Sequence, residues 1–365
     1  MRTTDIPVTP VRSAMPQVNP LAPPAAMAED LGRIRERPAD PAPAGGDPLG
    51  ALLAGTRAQG AFLLRSVFDP PWAIHVRDQA PLTVLTMFRG DGWIVHDRRP
   101  PVRLRTGDLA VVRGPEPYTV ADHPSTEPRA IIHPGQVATD PAGARLCAEL
   151  DRGVRTWGTR PDAAHVLVSG TYQLPGEVGR RLLHTLPNVL HLAAGAWHSP
   201  LLPLLEEEMG RDEPGQAAVL DRLLDLVLIG ALRAWLTREG AAAPAWYRAH
   251  GDPVAGPALG LLHADPARPW TVAALAAEVG VSRTVLARRF TELVGDPPMS
   301  YLTGWRLSLA ADLLASSDAT LASVARQVGY GSAFALSAAF KRVRGLSPAR
   351  HRDAFRAPGP ASGPR

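Results

Sequence analysis

The chain has 365 residues, 45% hydrophobic and 20% charged, enough to bury cores in two or three domains. Its one cysteine, Cys147, excludes an internal disulfide framework, and the most apolar stretch, Leu223–Leu236, is broken by Asp225 and Arg233, which excludes a membrane span. The net charge of +4 is unevenly placed: residues 258–356 hold 12 Lys/Arg against 7 Asp/Glu, while the remainder sums to about −1. A basic C-terminal hundred residues is the electrostatic footprint of a nucleic-acid partner. Lys341 is the only lysine, so arginine-rich codon usage is the plain explanation for any single arginine. The N-terminus has no charged-then-apolar leader, and the expected location is the cytoplasm.

Residues 1–48 carry ten prolines and little periodicity, and read as a disordered Pro/Ala-rich tail. From residue 49 to 177 short apolar stretches alternate with Gly, Pro and Asp: Ala61–Phe68, Leu82–Phe88, Gly92–Val95, Leu109–Val112, Ala130–Ile132 and Val166–Tyr172. Frequent turn signals between short strands predict a β-barrel or sandwich. Residues 178–247 change to helical spacing. Leu220, Leu223, Leu224, Leu226, Val227, Ile229, Leu232 and Trp235 recur with charges between them. This helix has more apolar surface than one face requires. It is either a core helix or a dimer seam, and the candidate seam residues are Leu223, Leu226 and Val227. Residues 248–257, with two Gly and two Pro, read as a linker, and 357–365 as a second disordered tail.

Residues 258–356 contain an internal repeat. Thr271–Gly280 (TVAALAAEVG) and Thr320–Gly329 (TLASVARQVG) share five of ten positions. Beyond them Ser282 matches Ser332, Leu286 matches Leu336, Phe290 matches Phe340, Gly295 matches Gly345 and Pro298 matches Pro348. Each copy has a small residue where helices cross, a glycine at the turn, a serine to cap the next helix, and an apolar pair to seal it. That is the logic of a helix-turn-helix, and its duplication argues against a generic helical hairpin. Leu302, Trp305, Leu309, Ala310, Leu313 and Leu314 stripe an intervening helix that holds the two units together. Such a link suits neighbouring major-groove turns ~34 Å apart. The expected fold class is therefore multidomain α+β: an N-terminal β-barrel with a helical segment and a C-terminal all-α double helix-turn-helix.

This C-terminal arrangement, with VARQVGYGSAFALSAAFKRVRGLSPARHR in its second unit, resembles the AraC/XylS family of transcription regulators. The resemblance implies sequence-specific binding of double-stranded DNA near promoters, most often activation, and RNA polymerase as a partner. With Leu286 and Phe290 facing the core, Arg283, Thr284, Ala287 and Arg288 fall on the outer face of the first recognition helix. Arg288 is the candidate for bidentate contact with guanine, and Thr284 and Ala287 for a thymine methyl. In the family, the positions matching Thr284, Ala287 and Arg288 carry base contacts. Arg283 is assigned to base edges with a phosphate role left open, and Arg289 and Ser282 to phosphates. The matching positions of the second unit, Ala333, Phe334, Ser337 and Ala338, include no bidentate reader of guanine. That unit is expected to hold the backbone through Ser332, Ser337 and Lys341. Phe334 either packs in the core or meets a thymine methyl.

The pieces GDGWIV (90–95), LRTGDLAVVRGPEPYTVAD (104–122), VLVSGTYQL (166–174) and LLHTLPNVLHL (182–192) resemble the cupin barrel at the front of one AraC-type subgroup. The resemblance implies a small-molecule sensor joined to a dimerising helical segment, in a homodimer. Trp93, Tyr118 and His75 are the candidate effector contacts. The alternative reading is a metal-binding cupin enzyme, but the chain has no HxH pair, and Tyr118 stands where related barrels have histidine. His75, His96, His123 and His133 could assemble a metal site only by an unusual pattern. His184, His191 and His198, seven apart, are read as packing or interface histidines. No metal, cofactor or catalytic residue is expected. A constitutive DNA binder with an inert N-terminal domain is a third reading.

Overall fold

The computed structural model describes residues 62–356 apart from 147–148, 154, 173–175, 198 and 241–242. Both expected tails, Cys147 and His198 lie outside the described residues. The first sheet runs, edge to edge, β10 (Thr156–Gly158), β1 (Phe62–Phe68), β11 (His165–Tyr172), β3 (Leu82–Arg89), β6 (Leu109–Arg113), β12 (Val189–Leu192). The second runs β5 (Arg99–Leu104), β4 (Gly92–His96), β7 (Tyr118–Ala121), β2 (Ala73–Val76), β8 (Ala130–His133), β9 (Val137–Thr139). The two sheets face each other without closing into a barrel. β5, with two prolines, sits on an edge, where a missing ladder donor is harmless.

Phe68, Ile74, Leu85, Met87, Ile94, Leu104, Val112 and Val120 fill the space between the sheets. The first sheet is also covered on its outer face by α1 (Glu177–Thr185), α2 (Leu201–Met209) and α3 (Gln216–Glu239). This explains the near-continuous burial of β3: Leu82 and Val84 face the helices, Leu85 and Met87 the opposite sheet. Gly170 admits α3 at close range, since a Cβ there would stand 2.7 Å from Leu224. The Tyr172 hydroxyl donates to the Leu224 carbonyl across 2.7 Å. α3 is thus a core helix on this side. Val227, expected at a dimer seam, is fully buried against the sheet of its own chain, because an all-round apolar helix gives its inner face to the nearest apolar surface. Leu223 is half-buried, and Leu226 and Val219 are exposed.

Two further expectations need correction. Val189–Leu192, within the segment read as helical, is a strand paired with β6 through Leu190–Val111 and His191–Ala110. Pro187 ends the helical run, and alternating burial of Leu190 and Leu192 then favours a strand. The segment 248–257 is no open linker. α4 (Ala245–His250) and α5 (Ala255–Ala264) meet there, with Ala249 and Ala255 fully buried. Gly256 sits so close to the end of α4 that a Cβ would overlap the His250 carbonyl at 2.2 Å.

The C-terminal helices are α6 (Val272–Val279), α7 (Arg283–Val294), α8 (Pro298–Ser316), α9 (Leu321–Gln327), α10 (Ala333–Arg344) and α11 (Pro348–Arg356). α8 supplies Leu302 to a core with Leu275, Leu286 and Phe290, and Leu307, Ala310 and Leu314 to another with Val324, Leu336 and Phe340. One rigid helix therefore carries both units. Its Trp305 belongs to neither core and packs on Val178 of α1. No helix among the described residues is long and apolar enough to cross a membrane.

Candidate nucleic-acid interface and sensor cavity

Each helix-turn-helix is built from local capping. Thr271 accepts from the Ala274 amide at the start of α6, and Ser282 from the Val285 amide at the start of α7. Thr320 and Ser332 repeat these roles for α9 and α10, accepting from Ser323 and Ala335. The turns between pass through Gly280 and Gly329, with φ of 77° and 80°, a conformation that favours glycine. Leu286 and Phe290, and Leu336 and Phe340, are fully buried. The opposite face of α7 is therefore turned out: Arg283, Thr284 and Arg288 are exposed and Ala287 is half-buried. The Arg288 side chain is 71% exposed and only grazes Glu292, at 4.0 Å. It is available to a partner.

Arg289 is placed differently from its expected phosphate role. Its Nε and Nη2 each lie 2.8 Å from Oδ2 of buried Asp252, whose Oδ1 also accepts from the Val254 and Ala255 amides. Burial pushes the Asp252 carboxyl up, but the backbone donors and the guanidinium outweigh it and hold it below the usual carboxylate range. Arg289 thus ties the first recognition helix to the α4–α5 turn. Pairing of residues 37 positions apart left no local signal.

In the second unit Lys341 is exposed, Ser337 is half-buried, and Ser332 spends one lone pair on its cap. Phe334, one alternative for which was core packing, is 83% exposed on the first turn of α10. The helix turns it nearly half a turn away from buried Leu336 and a third of a turn from Phe340, so the core cannot receive it.

Between the two sheets lies a cavity of about 50 Å³ lined by Tyr118, Thr83, Ser66, Ser169, Thr171 and Trp157, among others. Tyr118 is there as expected, hydrogen-bonded to Thr83, and burial pushes its phenol well up. Trp93 and His75 are not. Side chains alternate along a strand, and Ile74, Val76 and Ile94 take the inward positions. His75 bonds Thr119 at 3.1 Å and Trp93 lies under Arg103. Period-two reading of β2 and β4 would have found this. Among the described residues no three His, Cys, Asp or Glu side chains converge on a common point. His133 bonds Thr139, His123 bonds Ser125, and His96 lies beside Tyr118.

Residues 47–237 match the family model described as Cupin, and residues 275–354 match a helix-turn-helix domain model. A Streptomyces lividans protein named as an AraC-like transcription regulator is 36% identical over 313 residues, covering 84% of this chain and 98% of the relative. A Streptomyces antibioticus protein of the same name is 35% identical over 311 residues, with the same coverage of each. The chain is an AraC-type transcription regulator. The solved DNA-binding domain of AdpA in complex with a target DNA is 36% identical, covering 29% of this regulator and 96% of that domain, with a TM-score of 0.28.

In this AraC-type regulator the N-terminal part and the second helix-turn-helix are in direct contact. Asp312 of α8 caps α1 by accepting from the Glu177 and Val178 amides at 2.5 and 3.1 Å. Glu177 in turn receives Arg344 from the end of α10 at 2.7 Å. Burial raises the Asp312 carboxyl, opposed by those amides, while burial of Glu177 is outweighed by Arg344, which lowers it. Nothing in the local sequence around these residues marked them, because each partner lies more than a hundred positions away.

Proposed function

We propose that this AraC-type regulator reads its operator chiefly with α7, through Arg283, Thr284, Ala287 and Arg288, and grips the backbone with Ser282, Ser332, Ser337 and Lys341. The observation that carries this is the division of α7. Leu286 and Phe290 are spent on the core, and Arg288 stands on the outer face without a close partner. Arg289 is left out of the contact set because Asp252 holds it. On α10 the exposed group at the reading position is Phe334, whose chemistry suits a thymine methyl and no hydrogen-bonding edge.

The chain acts in the cytoplasm as an activator in contact with RNA polymerase, as a homodimer whose seam uses Leu226, Leu223 and the neighbouring Val219 on the outward edge of α3. A small molecule held by the N-terminal part shifts the population of DNA-binding arrangements. The cavity between the sheets, at about 50 Å³, has room for a few waters but not for a drug-sized ligand of ~300 Å³ or more. An effector there is very small or parts the sheets.

The test is fluorescence anisotropy on the gene's own upstream DNA beside scrambled DNA, across a salt series, followed by selection from randomised sites. Arg288→Ala costs ~1–3 kcal/mol and relaxes one base-pair preference. An unchanged selected motif in R288A would overturn the assignment.

A further inference from the structure

A second, larger recess lies where α1 meets the second helix-turn-helix. It measures about 650 Å³, within the usual ~300–1,000 Å³ of small-molecule sites. Its lining includes Arg180 and Arg181 of α1, Arg344 of α10 and Arg350 of α11. Leu307, Val343, Leu346 and Ala354 add apolar surface to the same lining. Val343 and Leu346 are 56% and 37% exposed, two of the few large apolar side chains left open to water.

The charges do not balance. Among the described residues Glu177 is the single acidic one lining the recess, and it is already shared between Arg180 and Arg344. Arg181 and Arg350 have no carboxylate partner among the described residues. Arg181 is half-buried, with its guanidinium over the Trp305 ring at 5.8 Å. Gly304 lies beside it: a Cβ there would stand 2.8 Å from Nη2, at the far end of the flexible Arg181 side chain. A guanidinium taken out of water without a counter-charge is costly, and an anion relieves that cost.

We propose that this cleft binds a small organic anion, a carboxylate or phosphate head on Arg181 and Arg350 with an apolar body against Val343 and Leu346. This rests on the reading of the chain as a ligand-controlled regulator and names the ligand's class and place. The ligand touches α1 from the N-terminal part and α10 and α11 from the second DNA-binding unit. It therefore acts on the arrangement that presents α10 to DNA. It does not compete with DNA directly. Arg344 lies ten residues along α10 from Phe334, about 15 Å at the helical rise.

The experiment uses the full chain, with inorganic phosphate, phenyl phosphate and benzoate as probes against potassium chloride at matched ionic strength. Matching matters because DNA affinity falls with salt alone. Thermal unfolding reads binding, and anisotropy on operator DNA reads coupling. The expected result is a higher Tm with phenyl phosphate and benzoate than with chloride, a smaller rise with inorganic phosphate, and a several-fold change in DNA Kd. Arg350→Ala, at an exposed position, removes both responses while folding and binding DNA as the parent does without probe. Arg181→Met, which keeps the packing stem, does the same. If none of the probes departs from chloride, the anion site is refuted. If the shift persists in R350A, the anion binds elsewhere and the cleft is refuted. If the probes bind but DNA affinity stays fixed, the effector role is refuted. In each case specific DNA binding by the parent leaves the regulator reading standing, and its loss refutes that reading separately.

Discussion

The exposure of Phe334 makes a sharp prediction about the second half of the operator. Its ring is 83% exposed and touches neither core, so Phe334→Ala leaves Tm unchanged and any effect on DNA reports the interface alone. A phenyl group on the outer first turn of α10 can gain only apolar contact, and the one apolar group on a base edge in the major groove is the thymine methyl. Burying one methyl-sized group is worth ~0.8 kcal/mol, a factor of about four in Kd. The perturbation is therefore made on the DNA as well as on the protein. Each thymine in that half-site is replaced in turn by deoxyuridine, which lacks the methyl and keeps every hydrogen-bonding group. Anisotropy at fixed salt should find one position where the parent loses about fourfold. F334A should bind more weakly to thymine DNA and be indifferent to uracil at that position. If the parent is indifferent to every such replacement, or if F334A loses as much as the parent, Phe334 does not read a methyl and the reasoning fails.

The other predictions concern backbone grip, folding and pH. Lys341→Ala should weaken binding to all sequences alike and reduce the slope of log Kd against log salt by about one, measured by anisotropy. Asp252→Ala removes the cap at the start of α5 and the partner of Arg289 together; cap loss of ~1 kcal/mol and charge-assisted bonds of ~1.5–3 kcal/mol predict destabilisation of about 2–4 kcal/mol by denaturant titration. Asp252→Asn, which keeps a cap acceptor, should cost less. His263 lies flat on Trp305 at 4.5 Å, and burial, helped by Arg181, pulls its pKa from 6.5 to about 4. The unfolded chain then takes up a proton below 6.5 that the folded chain refuses, so stability is complete above pH 6.5 and falls toward pH 4 by up to about 3 kcal/mol. His263→Phe keeps the stack and should flatten that part of the Tm profile; an equally steep profile in H263F would assign the loss to other groups.

What was legible in the chain was whatever a few consecutive residues decide. Ser282 and Ser332 are caps because a hydroxyl three residues before a free amide has no other local partner, and the structure finds both bonded so; Thr271 and Thr320 cap α6 and α9 by the same logic, which the sequence reading does not single out. The buried pairs Leu286–Phe290 and Leu336–Phe340 follow from helical period alone. Residue type misleads where it is weighed above position. Trp93 and His75 were chosen for their chemistry, yet strand alternation turns both away from the cavity that Tyr118 lines. Glycine and proline in 248–257 suggested an open linker. They mark instead a tight corner that Asp252 and Arg289 hold closed, and Gly256 is small because α4 presses on it. Val227 and Leu226 were alike in sequence, and only the sheet beneath α3 separates them.

The same distinction bears on signalling. The two DNA-binding units share α8, so neither can tilt without the other. The contacts of α8 with the N-terminal part, through Asp312 and Trp305, lie at positions the repeat does not duplicate. Thr320 and Thr271 repeat because both units must fold; Asp312 and Arg344 stand alone because the N-terminal part meets the second unit through α1 and the first through α4, whose Trp246 and Tyr247 pack on the N-terminal core. On the proposed reading, a signal from the N-terminal part has two ways to α7: through Asp312 and Trp305 on α8, and through α4, which packs on α7 itself.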